Sequence, residues 1–310
     1  MSQPSKEELK AEVREFWNRL SCDTQVASSS KFSRNYFEEI ESFRYHDQPF
    51  IHAFAQFTRY HGKRILEVGF GAGTDFIQWL RAGARVSGID LTQEALENLT
   101  HRIQAYELPA PEQIMVADAE QLPFESNSFD LGYSFGVLHH SPDTEKAIAE
   151  LVRVVRPGGE IKMMLYNRHS IYVFNQWIKF ALLRGKPWQS LRSILSNHIE
   201  SIGTKGFTRQ ELSQMLSKLP LENISVHTEM TAADYLSASA LPPLNLLYRI
   251  CLRLAGGGRN WNAADYVERP KAAGIVVERR LKVPAQSRMG FNGNRLGFFH
   301  CITATKSAAV

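Results

Sequence analysis

This sequence predicts an α/β fold built on a doubly wound, mostly parallel sheet, and three observations predict it. Between residues 63 and 167 short apolar runs alternate with helical stretches. A glycine-rich turn joins the first run to the first of these helices, and an acidic residue closes each of the next two runs. Strands of about seven residues alternating with helices need crossover connections, which place helices on both faces of a parallel sheet. The 310 residues, 44% of them hydrophobic, suffice for one large domain or two small ones with a real core. A disordered chain and a disulfide-stapled miniprotein are excluded.

The elements follow in order. Ser5 stands three positions before Glu8, a capping-box spacing, and Leu9, Val13, Phe16, Trp17 and Leu20 recur at helical intervals, so residues 5–20 predict an amphipathic helix. Residues 32–60 hold nine of the 33 aromatics, mostly at helix-compatible spacing and interrupted by Pro49; core packing explains most of them, a pocket cover the rest. Then come RILEVGF, a helix from Thr74 to Ala82, RVSGIDL, a helix from Thr92 to Ala105, QIMVADA, FDLGYSF, a helix from Asp143 to Val155, and EIKMMLY. Residues 168–206, aromatic and basic, break the alternation. It resumes with a helix capped by Thr208, three before Glu211, and the strand LENISVHTE. Residues 231–297, with Pro242-Pro243, Gly256-Gly257-Gly258 and GFNGNRLG, fall outside the pattern, and FFHCITATK is the last strand.

Cys22, Cys251 and Cys301 form no C-x-x-C pair, and the ten histidines show no H-E-x-x-H spacing, so neither a disulfide framework nor a metal is expected. The start is polar and no run approaches about 18 apolar residues, which fits a cytoplasmic protein without a transmembrane segment. The net charge of +4 is uneven. Residues 168–210 hold seven Lys/Arg against Glu200, and residues 269–295 hold seven against Glu278. Two solvated basic faces, or attraction to an anionic partner, would each account for this.

The densest signal is Glu67-Val68-Gly69-Phe70-Gly71-Ala72-Gly73-Thr74. Glycine there permits a tight strand-to-helix turn and lets a ligand lie against the backbone. From Gly69 the sixth position is Thr74, an imperfect dinucleotide fingerprint. Asp90 closes the second strand, where a carboxylate can accept both hydroxyls of a ribose. Asp118 and Ala119 close the third, within reach of an adenine edge. Acceptors at successive strand ends imply a nucleoside. No G-K-[ST] sequence asks for a phosphate.

EVGFGAG, GIDL, ADAEQLPFESNSFD, YSFGVLHH and ELVRVVRPGGE together resemble the class I S-adenosylmethionine-dependent methyltransferases, the type 11-like group with an E-x-G-x-G-x-G loop. The resemblance covers about a third of the chain. It implies a Rossmann-like sheet with an antiparallel last strand and S-adenosyl-L-methionine as cofactor. It divides the chain into an N-terminal helical cap at 1–60 and a methyltransferase domain at 61–310. Within that domain it gives a core of 61–167, 207–230 and 298–310, with insertions 168–206 and 231–297 for substrate recognition. Carried over, it implies that Gly69, Gly71 and Gly73 flank the methionine part and that Glu67 orients the loop. Asp90 would hold the ribose with Leu91 beside the adenine, and Asp118 and Ala119 would read the adenine edge. Backbone at Ser134 and Phe135 would meet the amino group and the methyl. Phe70 departs from the small residue common in relatives.

Methyl transfer from a sulfonium is an in-line displacement, in which positioning dominates and a base is optional. His139, the first choice, or His140 could be that base; holding the loop by packing is the alternative role for both. Tyr36, Arg44 and Tyr45 could close over the sulfonium, where an aromatic face favours a cation. The expected acceptor is a small molecule, apolar or aromatic and bearing a carboxylate or phosphate. RNA, lipid or quinone methylation and a non-catalytic cofactor-binding module are the alternatives, although no RNA-binding module is recognisable. The oligomeric state stays open.

Overall fold

A computed structural model describes residues 5–231 and 290–308, together with Asp234, Ile250, Leu254 and the short strands Tyr266–Glu268 and Val276–Glu278. Cys251 and most of the apolar run 241–255 lie outside the described residues, as do the glycines 256–258.

Three helices precede the sheet. Helix α1 (Lys6–Arg19) opens with both capping-box bonds, Ser5 to the Glu8 amide and Glu8 to the Ser5 amide. Helix α2 (Arg34–Asp47) is capped by Ser33, and Pro49 separates it from α3 (Phe50–Ala55), because proline disfavours helix in the residue before it. Then β1 (Arg64–Val68), α4 (Phe76–Arg81), β2 (Arg85–Asp90), α5 (Gln93–Ala105), β3 (Gln113–Val116), β4 (Phe129–Phe135), α6 (Thr144–Val154) and β5 (Val155–Tyr166) carry the alternation read from the sequence. Within residues 168–206 lie α7 (Ile171–Phe180) and α8 (Leu191–His198), capped by Ser170 and Ser190. Helix α9 (Arg209–Leu216) has the second capping box, Thr208 with Glu211. Strands β6 (Leu221–Glu229), β7 (Tyr266–Glu268), β8 (Val276–Glu278), β9 (Gly290–Gly293) and β10 (Phe299–Lys306) follow.

The large sheet has the order β3-β2-β1-β4-β5-β10-β6-β9, while β7 and β8 pair separately. Strands β1 to β5 run parallel, and β10 lies antiparallel to both β5 and β6, with Ile302 opposite Met163 and Val226. The edge strand β9 comes from the stretch that lacked any strand periodicity; its sequence, GFNG, is one that only pairing with β6 makes extended.

Successive strand residues face opposite sides. On one side Ile65, Tyr133, Met164 and Cys301 pack with Phe54, Trp79, Leu99 and Val173 from the helices. On the other, Leu66, Val68, Met163 and Ile302 pack with Ile148 and Leu151 of α6 and Leu212 and Leu216 of α9. Each such aliphatic side chain contributes about 2 kcal/mol of burial. The same alternation puts Glu67 on the Trp79 face and Lys162 opposite α3, where its ammonium donates to the Phe54 and Ala55 carbonyls at 2.9 and 2.8 Å. The C-terminal ends of β1, β2, β3 and β4 share one edge, and α1 and α2 lie across it.

Candidate functional site

That edge holds a cleft floored by the loops after β1 to β4 and walled by Lys10, Val13 and Trp17 of α1, Cys22, and Arg44 of α2. Gly69 and Gly71 line it with φ of +80° and +52°. A Cβ at Gly69 would meet Val137 Cγ2 at 2.2 Å, so the turn requires glycine there for space as well as conformation. Gly73 closes the turn by donating to the Phe70 carbonyl at 2.8 Å and lies outside the lining.

Asp90 accepts from the Gly71 amide at 3.0 Å through one oxygen and from the Thr92 amide and hydroxyl, at 3.0 and 2.8 Å, through the other. Burial raises its pKa above the ordinary carboxylate value despite these donors. The carboxylate is thus held in place with lone pairs left to accept further hydroxyls. Leu91 and Ala119 line the cleft beside it. Asp118 also faces the cleft, and there α1 supplies what the sequence did not reveal. Lys10 lies 2.6 Å from Asp118 and 3.3 Å from Glu120. Burial opposes its charge, but the two carboxylates outweigh that and push its pKa up to about 12.

At the other end of the glycine loop, Asp75 accepts from Arg44 Nε at 3.1 Å and Nη2 at 2.8 Å, from the Tyr133 hydroxyl at 2.8 Å and from the Tyr45 hydroxyl at 3.0 Å. Burial would raise its pKa; Arg44 and the hydroxyls hold it below the ordinary value. Glu67, buried beside it and facing that negative charge, goes the opposite way, well up, and accepts from the Trp79 indole at 2.9 Å. One carboxyl is held toward its ionised form by its partners, the other pushed toward its neutral form by burial and by that charge. The Arg44 guanidinium also lies 5.2 Å from the centroid of Phe135, which lines the cleft.

Four expectations need correction. Tyr45 does not face the cleft, since its hydroxyl is spent on Asp75 and the Thr74 carbonyl and its ring lies on His52. Tyr36 is buried, its hydroxyl 3.4 Å from Asn98 Oδ1. Ser134 is fully buried and donates to the Val68 carbonyl at 2.9 Å, beneath the lining rather than in it. His139 is fully enclosed: its ring lies tilted 3.8 Å from that of Tyr166, burial drives its pKa well down, and it does not line the cleft.

His140 is the histidine that faces the cleft. Its Nδ1 lies 2.9 Å from Ser201 Oγ and 3.0 Å from Thr204 Oγ1, and its Nε2 lies 3.2 Å from Glu200 Oε2. Tyr166 donates to Glu200 at 2.9 Å. Donor atoms of His139, His140 and Glu200 come within 4.8 Å of one another, close enough to share a cation. Tyr166 thus holds the Glu200 carboxylate beside the His140 ring, whose Nε2 lies near it without a hydrogen bond. Glu200, Lys10 and Asp75 escaped the sequence reading; only Asp75 left a local signal, an acid just after the glycine turn at a helix N-cap position.

Comparison with known proteins bears on this geometry. A family model described as a methyltransferase domain matches residues 66–163. The ubiquinone biosynthesis O-methyltransferase of Aromatoleum aromaticum is 33% identical over 170 residues, covering 50% of this chain and 72% of that one. The malonyl-[acyl-carrier protein] O-methyltransferase of Erwinia billingiae is 33% identical over 115 residues, 37% of this chain and 43% of that one. The chain thus spans less than half the length of several curated relatives it matches. The crystal structure of magnesium protoporphyrin IX methyltransferase from Synechocystis, with bound SAH, shares the fold with a TM-score of 0.55 at 13% identity, covering 96% of this chain and all of that one.

Proposed function

Because the chain belongs to the class I S-adenosylmethionine-dependent methyltransferases, we propose that its cleft binds S-adenosylmethionine and delivers the methyl group to a small apolar or aromatic acceptor beside His140. The observation that carries this reading is the convergence of the Gly69–Gly71 turn, Asp90 and Asp118 on one cleft at successive strand ends. The residues fit the cofactor. Left-handed glycines leave room for a ligand against the backbone, and Asp90 is oriented by Gly71 and Thr92 to take ribose hydroxyls. Asp118, with the neighbouring Ala119 amide, suits the adenine edge. Glu67, buried under the loop at the cleft lining, orients it. Residues 1–60 act in this reading as a cap, and 168–206 and 231–297 as segments for substrate recognition.

When bound, the cofactor supplies an electrophilic methyl on a sulfonium. Trp17, Phe135 and Val137 exclude water around it, which favours an in-line displacement. In this reading His140 takes the proton of a hydroxyl acceptor at Nε2, the ring nitrogen without a hydrogen-bond partner, and the Glu200 carboxylate 3.2 Å away stabilises the imidazolium. An apolar acceptor also agrees with where the cations of residues 168–210 sit. Arg168 and Arg192 pair with Glu211, at 2.7 and 3.0 Å, and Lys205 donates to the Ser141 carbonyl, so these three are spent internally.

The test is transfer of labelled methyl from S-adenosylmethionine to a panel of small phenols, hydroxy acids and quinols. Wild-type transfer to at least one acceptor is expected, with His140→Gln lowering kcat on the order of 100-fold at unchanged cofactor affinity. Transfer in His140→Gln at the wild-type rate would remove the base role, and labelling of RNA alone would replace the acceptor class.

A further inference from the structure

The connection between α7 and α8 has no part in the cleft, and its composition is unusual for a solvent-facing loop. All seven residues from Leu182 to Trp188 are exposed, with Leu183 at 75% and Trp188 at 77%. Leu182 and, on the same hairpin, Phe174 are exposed as well. An isolated exposed leucine needs no explanation, but an exposed tryptophan, two leucines and a phenylalanine on one short hairpin form a patch that does. The loop is built rather than slack. Lys186 and Arg184 donate to the Ala181 carbonyl at 2.9 and 3.1 Å, and the Trp177 indole holds the Gln189 carbonyl at 2.7 Å. Phe174 stacks on Trp177, and Phe180 on His198.

Its charge is one-sided. From residue 168 to 199 there is no Asp or Glu, and the exposed Lys179, Arg184 and Lys186 surround the apolar side chains. Lys179 and Arg184 flank the Phe180 ring at 4.9 and 5.0 Å from its centroid, which holds both cations beside the patch. An aromatic and aliphatic tip ringed by cations matches the boundary of an anionic bilayer, where tryptophan and leucine enter the headgroup region and lysine and arginine stay with lipid phosphates. A purely polar acidic ligand would satisfy the charge but leave Leu183 and Trp188 in water.

We propose that the Leu182–Trp188 hairpin tip docks the protein on an anionic lipid surface. The position has a consequence for the cleft. Helix α8, about 12 Å long, runs from this tip to Glu200, which contacts His140 and Tyr166. Docking therefore sets the acceptor end of the cleft one short helix from the lipid surface, the side from which an apolar acceptor would arrive. The inference stands on the surface alone and does not depend on the methyl-transfer reading.

The test is sedimentation of the full chain with vesicles of phosphatidylcholine, with and without phosphatidylglycerol. Binding to the anionic vesicles and not to the neutral ones is expected, weakening with added salt. Leu183→Ser with Trp188→Ser, and separately Arg184→Glu with Lys186→Glu, should each weaken binding at least about tenfold. These side chains are exposed, so the variants should keep the wild-type melting temperature. Wild-type protein remaining in the supernatant with anionic vesicles would overturn the proposal, as would either double variant binding like wild type. Wild-type dimers that the Leu183/Trp188 variant splits, without vesicle binding, would assign the patch to a second copy of this chain instead.

Discussion

The two ends of the cleft are built in different ways. The nucleoside end rests on consecutive strand ends: Gly69, Gly71, Asp90 and Asp118 lie within one stretch of fifty residues, each placed by the sheet register. The acceptor end gathers Trp17, Arg44, His140 and Glu200 from segments distant in sequence. What a sheet places is local and periodic; what helices and loops place across it depends on long-range packing. The acceptor end depends on a largely buried ion pair between distant segments, Arg44 with Asp75, and the strongest perturbation belongs there.

Replacing Arg44 by Met should give the largest effect. Asp75 would be left buried with hydroxyl partners only, and unfolding in urea should report a loss of about 3–5 kcal/mol, partly restored when Asp75→Asn is added. A loss below about 1 kcal/mol would mean the pair is not a structural centre of that end. At the nucleoside end Gly69→Ala combines a left-handed backbone with the Val137 clash. Strain of about 1–3 kcal/mol is expected, appearing as a lower melting temperature together with weaker S-adenosylhomocysteine binding. If only stability fell, the loop would not be contacting the ligand.

Lys10→Ala probes the join between the two ends, since α1 is held to the strand loops through Asp118 and Glu120. About 1 kcal/mol should be lost, and tryptic cleavage within α1 should accelerate. Cleavage at the wild-type rate would show that Val13 and Trp17 hold the helix without the ion pairs. The smallest effect concerns pH. Glu211, which accepts from Arg168 and Thr208, has its pKa held down at about 2 against the ordinary carboxylate value. Between those values the unfolded chain binds the proton and the folded one does not. Its stabilisation is complete above the ordinary value and is lost as pH falls toward 2. Glu211→Gln should flatten that part of the acid-unfolding curve, and an unchanged slope would contradict the assignment.

The same contrast governs how much was legible in the sequence. The alternation from RILEVGF to EIKMMLY became β1 to β5, and both capping boxes formed, because strand period and helix caps are properties of neighbouring residues. The antiparallel last strand also follows the expectation. Strand β9 did not announce itself, since GFNG has no periodicity and is extended only by its pairing with β6. The choice of His139 over His140 failed because adjacent residues in a tight turn point to different environments, and no spacing rule tells which one is enclosed. Tyr45 looked like a cover for a cation, but its hydroxyl serves Asp75, a partner thirty residues away. Lys10 reaches Asp118 across more than a hundred residues, a contact that only the packing of α1 over the sheet edge creates.

The most direct measurement is calorimetric titration with S-adenosylhomocysteine, with NAD as control, of the wild type and of Asp90→Ala shown to be folded by its melting curve. The account predicts micromolar binding by the wild type, none of NAD, and an affinity at least about tenfold weaker once Asp90 is gone, the loss expected for hydrogen bonds to a carboxylate. Wild-type protein that is folded yet does not bind, or an Asp90→Ala variant that binds as tightly as wild type, would contradict it.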